Sequence, residues 1–161
     1  MRKAILVTAL VSGLVGFVLG AAAWYLFSPL LFDEVVAEAA PSSTELMPVA
    51  TGRFRDADRA HSGTGTATIL ASEAETVLRF EEFEVTNGPD LEVWLVKAAN
   101  VRSSADVTAS DWLSLGRLKG NVGDQNYAIP PGTEIGDYSS VVIWCEQFGV
   151  LFSPADLGPA P

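Results

Sequence analysis

The chain has 161 residues, 20 acidic against 10 basic, for a formal charge of −10, with one histidine and one cysteine. Once an apolar N-terminal run is set aside, enough chain remains for a single modest core but not for two. The acidic excess repels phosphate backbones and argues against nucleic-acid binding, and a lone cysteine excludes a disulfide within the chain.

Arg2 and Lys3 precede an uncharged run from Ala4 to Phe32. As helix it would reach about 40 Å against a hydrocarbon core of about 30 Å. That excess predicts a tilted transmembrane helix, or an interfacial last segment from Ser28 and Pro29, with Trp24 and Tyr25 near the far headgroups. The basic residues before the run place the N-terminus in the cytoplasm, and Asp33, Glu34 and Glu38 follow it into an extracytoplasmic space. The rival reading is a cleaved signal peptide with a small-x-small site at Ala37-Glu38-Ala39. Signal apolar regions run to about 7 to 15 residues, so residues 1–32 read instead as an uncleaved single-pass signal-anchor. Gly16 and Gly20, with Gly13 a turn earlier, are spaced to let two such helices approach.

Residues 33–50 mix alanine, proline, serine and acids, and read as an acidic, alanine-rich tether, with a short helix over 33–40 ended by Pro41 as an option. Residues 51–158 read as one β-domain and 159–161 as a tail. Within the domain, Thr66–Leu70 and Thr76–Phe80 predict a hairpin, Phe83 and Val85 share a face opposite Glu82 and Glu84, and Asn87-Gly88-Pro89-Asp90 predicts a turn. Leu91, Val93 and Leu95 are expected on the core side of the next strand. Asn100–Asp111 reads as a loop or a poorly periodic edge, Trp112–Leu118 and Gln125–Ile129 as strands, and Pro130-Pro131-Gly132 as a stop. Val141–Cys145 and Phe148–Phe152 complete the set, with Glu146-Gln147 between them. About eight short strands without a long amphipathic helix predict an all-β fold, either an antiparallel β-sandwich or a barrel-like sheet, preceded by one transmembrane helix.

Most chemical motifs fail on spacing. Gly63-Thr64-Gly65 precedes a strand, whereas a dinucleotide fingerprint opens a helix. Oxygen-rich residues at Asn87, Asp90, Asn121 and Asp124 form no EF-hand loop, the carboxylates are abundant rather than paired, and Cys145 lacks the local activation of a protease nucleophile. Two residues remain. His61 either orders its glycine-rich turn or joins a thiolate in binding haem iron or a transition metal. Cys145 shares a strand face with Val141 and Ile143, opposite Val142 and Trp144, so its thiol is either a small buried hydrophobe or a group at the sheet rim within reach of a cofactor or partner.

The blocks His61–Gly65, Leu78–Phe83, Asn87–Leu95, Leu115–Gly123, Gln125–Pro130 and Tyr138–Phe148, with Ala155 and Leu157, resemble the DM-thirteen domain family. This proposed electron-transfer domain occurs in membrane-anchored or secreted bacterial proteins and in animal Skeletor-like proteins, and the likeness runs from about Gly52 to Leu157. It implies a membrane-anchored bacterial-type member whose Cys145 is the redox-active or haem-ligating group. One departure is Glu146-Gln147, where family members often carry a basic residue; a carboxylate there disfavours the thiolate. The expected function is a redox or electron-transfer role centred on Cys145, with a redox partner protein. The alternative is a cell-surface binding or structural module whose cysteine is inert.

Overall fold

The computed structural model describes residues 2–27, 32–43 and 45–160. The N-terminal run forms one helix, α1 (Arg2–Phe27), which includes a stretch, Val7–Tyr25, long and apolar enough to cross a membrane. Leu10, Leu14, Phe17 and Leu19 are all exposed, so the helix presents apolar side chains on every side, as a lipid-surrounded helix does. The interfacial segment expected at Ser28 and Pro29 lies outside the described residues. Residues 1–32 form one compact unit and 33–161 a second.

The second unit is a β-sandwich, which decides between the two expected architectures. Its larger sheet has six strands in the order β1 (Val35–Ala37), β7 (Val122–Ile129), β4 (Thr76–Val85), β3 (Gly63–Ala71), β2 (Met47–Arg53) and β10 (Gly158–Pro159). The smaller has four, in the order β6 (Trp112–Arg117), β5 (Leu91–Val96), β8 (Ser140–Cys145) and β9 (Val150–Asp156). Every pairing is antiparallel except β1 with β7.

Alternation builds the core between the sheets. Ile69, Leu78, Phe80 and Ile129 from one sheet meet Leu91, Val93, Leu95, Val141 and Ile143 from the other. At its centre Phe54, Phe80 and Phe83 lie with ring centroids 4.9 Å apart, the Phe54 contacts being edge-on. Truncating a buried phenylalanine costs about 3–5 kcal/mol, a large part of a domain's typical stability of about 5–15 kcal/mol. The smaller sheet is also covered on its other face, where Trp94, Val96, Val142, Trp144 and Leu151 pack with Val101 and Val107. β8 is therefore buried along its whole length, which accounts for a continuous apolar run where a one-sided strand would alternate.

Several boundaries differ from expectation. β4 runs without a break through Glu81 and Glu82, where its registers with both β3 and β7 shift. Glu82 has φ +50° and Gly65 opposite has φ +102°, and a Cβ on Gly65 would strike the Phe83 backbone, so the bulge requires glycine there. The Asn100–Asp111 loop contains a helical turn, α2 (Ser104–Thr108), whose Ser103 N–H donates to the Asp106 carboxylate at 2.9 Å. The strand expected over 148–152 is β9 and covers Val150–Asp156, and the expected tail begins inside β10.

The largest correction concerns residues 33–50. Read from the sequence as an acidic, alanine-rich tether with an optional helix over 33–40, this stretch supplies β1 and the start of β2. β1 is held by polar contacts rather than by an apolar face. The Glu38 carboxylate accepts from Lys119 Nζ at 2.7 Å and from the Asn126 amide at 2.7 Å, and the Glu38 carbonyl accepts from Arg79 at 2.8 Å. Arg79 is buried and also donates to Asp124 at 2.6 Å. Asn121 donates to Asp33 at 2.8 Å and accepts from the Glu34 amide at 2.7 Å. Gly123, at φ +102°, faces the Val36 carbonyl so closely that a Cβ would collide with it.

Gly123→Ala is therefore expected to cost more than about 1 kcal/mol and to release β1 selectively. The check is amide hydrogen exchange, with faster exchange at the Glu38 amide, which donates to Asp124, and unchanged exchange in β8. The hydrogen bond from Lys119 holds the Glu38 carboxyl below the usual carboxylate range. Its contribution is present above the unfolded value of about 4.3 and is lost as pH falls through the lower folded value, so acid should loosen the same amide.

Candidate functional site

Cys145 is the last residue of β8, opposite Leu91 of β5 and Val150 of β9. Its side chain points into the core between the sheets, and the residue is 0 % exposed. Two turns close the strand end. From one side comes Asn87-Gly88-Pro89-Asp90, whose Pro89 carbonyl accepts the thiol hydrogen at 3.0 Å. From the other comes Glu146–Gly149, tied down by Gly149 N–H donating to the Cys145 carbonyl at 2.9 Å and by Glu146 N–H donating to the Asp90 carbonyl at 3.0 Å. Asp90, at φ +54°, is fixed further by Arg117, which donates to its carboxylate at 2.6 Å.

Burial pushes the thiol pKa up. The Phe148 amide opposes that rise, the Asp90 charge reinforces it, and the Gln147 amide and the Glu146 charge add smaller effects of opposite sign. Glu146 thus acts in the direction expected from the sequence, but desolvation dominates. The resting group is a neutral thiol, a weak nucleophile and a poor metal ligand. The two backbone amides act against that rise without overcoming it.

His61 is placed at the same end of the sandwich by the loop before β3. Its Nδ1 lies 2.9 Å from the Asp58 carboxylate, whose other oxygen accepts the Ala60 and His61 amides at 2.7 and 2.9 Å. The imidazole rests on Phe152, with centroids 4.2 Å apart. The Phe152 ring also fills the space beside Gly88, where a Cβ would meet it at 2.5 Å. His61 and the turn that covers Cys145 therefore lean on one phenyl ring, while the polar contacts of His61 go to Asp58 and those of the sulfur to Pro89.

A haem or metal does not fit this arrangement as it stands. Among the described residues no group of three or more His, Cys, Asp or Glu side chains is placed to hold a metal ion. The thiol hydrogen is directed at a carbonyl, and the sulfur is enclosed by core side chains. Arg79, Glu38 and Lys119, the polar clamp on the far edge of the large sheet, escaped sequence reading because their partners are separated by 41 to 81 residues.

Thiol reagents are accordingly expected to modify native Cys145 far more slowly than the unfolded chain, as followed by mass. Because the folded pKa is raised, stability holds below the unfolded thiol value of about 8.5 and declines as pH rises from there through the folded value. Cys145→Ala should lack that component of the decline in denaturant titrations.

No curated protein and no solved structure matches the chain. One family does, described as Electron transfer DM13, and its match covers residues 54–157, which hold β3 to β9 but not β1, β2 or β10. The chain belongs to the electron transfer DM13 family.

Proposed function

We propose that this protein is a membrane-anchored, extracytoplasmic redox domain in which Cys145 exchanges with a disulfide of a partner protein. The observation that carries the reading is the setting of the sole thiol: it ends a fully buried strand beneath two short turns, its hydrogen bond going to the Pro89 carbonyl of one of them. α1 anchors the domain with the N-terminus on the cytoplasmic side, and the sandwich stands outside, where disulfide chemistry operates.

In the proposed exchange the Asn87–Asp90 and Glu146–Gly149 turns open locally and water takes up the thiol proton. The thiolate attacks one sulfur of the partner's disulfide. The Cys145–partner bond forms as the partner's own S–S bond breaks, and the departing partner thiolate recovers a proton from water. Two electrons stay on the departing sulfur, so no further oxidant is required. A chain with one cysteine cannot close an internal disulfide, so the adduct persists until a second thiol resolves it.

The complete enclosure of Cys145 favours a second reading, a non-catalytic surface module whose thiol only fills the core. Trapping separates them. Mild oxidation of membranes containing the full-length chain should give a mixed disulfide with a dithiol protein, reversed by reductant and absent from Cys145→Ser. A chain that forms no adduct while its Cys145→Ser variant is less stable would support the packing reading. In haem reconstitution, the enclosed sulfur predicts the same Soret absorption with and without Cys145; a band lost in Cys145→Ser would contradict thiol exchange as the site's chemistry.

A further inference from the structure

The outer face of the smaller sheet carries three tryptophans in ring contact. Trp112, on edge strand β6, is 48 % exposed, whereas Trp94 on β5 and Trp144 on β8 are 4 % and 3 % exposed. The Trp112 and Trp94 rings lie 3.9 Å apart between centroids and are inclined by 11°. Those of Trp94 and Trp144 lie 5.1 Å apart, inclined by 29°. A continuous π path therefore leads from solvent into the sheet and ends one residue from Cys145.

Core packing accounts for Trp94 and Trp144 but not for two further features. The stack is continued to the surface by a large aromatic left half in water, although nearly parallel stacking confers only about 0.5–1.5 kcal/mol beyond burial. The central indole is also paired with a base: Trp94 Nε1 donates to a Glu92 carboxylate oxygen at 2.8 Å, and the same oxygen is fixed by Ser114 Oγ at 2.8 Å. Oxidised indole is strongly acidic at Nε1, so a carboxylate at that atom determines whether an electron vacancy can rest there.

We propose that Trp112, Trp94 and Trp144 form a one-electron relay, with Trp112 as the surface port and Glu92 as the proton acceptor of the central ring. The proposal rests on the electron-transfer reading of the domain but not on thiol chemistry at Cys145. A one-electron oxidant strong enough to oxidise indole takes an electron at Trp112 and is reduced by one electron. Trp94 refills Trp112, and as its electron leaves, the Nε1 proton passes to Glu92, leaving a neutral Trp94 radical beside a protonated carboxyl. The vacancy rests on this pair as the neutral radical, and only when an electron arrives from Trp144 does the proton return from Glu92 to Trp94. Each step moves one electron, and the proton stays within the Trp94–Glu92 pair.

The test is flash-quench oxidation of the full-length chain in detergent micelles by a photogenerated ruthenium(III) polypyridyl complex, with transient visible absorption of the tryptophan radical as readout. Trp24, the one tryptophan outside the sandwich, is replaced throughout by phenylalanine. The parent should yield a long-lived neutral radical. Trp112→Phe should lose it, and Trp94→Phe should leave only a short-lived radical at the surface. Glu92→Gln, which preserves shape if the Trp94 variant folds poorly, should give the radical cation spectrum instead of the neutral one. The same neutral radical with the same lifetime in Trp112→Phe, or in Glu92→Gln, would overturn the relay. Cys145→Ser, run in parallel, should keep the parent signal. Loss of the relay with adducts still formed at Cys145 refutes the relay alone, and a working relay without adducts refutes thiol exchange alone.

Discussion

A strand with no solvent-facing side is the constraint from which the domain is built. Val141, Ile143 and Cys145 of β8 need cover on one face, and Val142 and Trp144 need it on the other. Burial is worth about 1.5–3 kcal/mol for each large apolar side chain, so neither face can be left open. The six-stranded sheet covers the first. The second is covered by Val101, Val107 and Trp94, which is why the connection between β5 and β6 carries a helical turn rather than a short hairpin. With both faces and both edges of β8 occupied, the strand end is the direction from which its thiol is covered only by turns.

The two margins of the sandwich are held by different physics. At the β8 end, apolar enclosure and short backbone bonds keep the sulfur neutral. At the β1 edge, a buried arginine, a lysine–glutamate pair and two asparagines hold a strand of three residues whose apolar side chains are not buried. Glycine is required at 123 for clearance as well as for φ, since a side chain there would run into the β1 backbone, and one at 120 would meet the Glu34 carbonyl just before β1. Acid and salt act on the ionic edge first, because its ion pairs are partly exposed, while the apolar end responds mainly to denaturant.

Much of this was legible in the sequence because period-two alternation reports a half-buried strand directly. Leu91, Val93 and Leu95 face the core as their spacing predicts, and Asn87–Asp90 and Pro130-Pro131-Gly132 stop strands where their turn chemistry requires it. The run VVIWC carried a further message, since an uninterrupted apolar strand is buried on both sides. β1 was illegible for the opposite reason: three residues have no measurable period, and their partners lie some 80 positions away. The environment of Cys145 was undecidable from local pattern, because the carbonyl that meets its sulfur arrives from residue 89. The tryptophan contacts join three strands, so no spacing within one strand announces them.

Membership of an electron-transfer family and a deeply covered thiol are reconciled if the sulfur is exposed by local opening of its two turns while the sandwich stays folded, which is the central claim of the proposed function. The direct measurement is the modification rate of Cys145 in the full-length chain as a function of low denaturant concentration. Local opening exposes little surface and predicts a rate almost independent of denaturant until global unfolding begins. A rate that rises from the first addition with the full dependence of global unfolding would show that the thiol is reached only by unfolding, and would contradict the account.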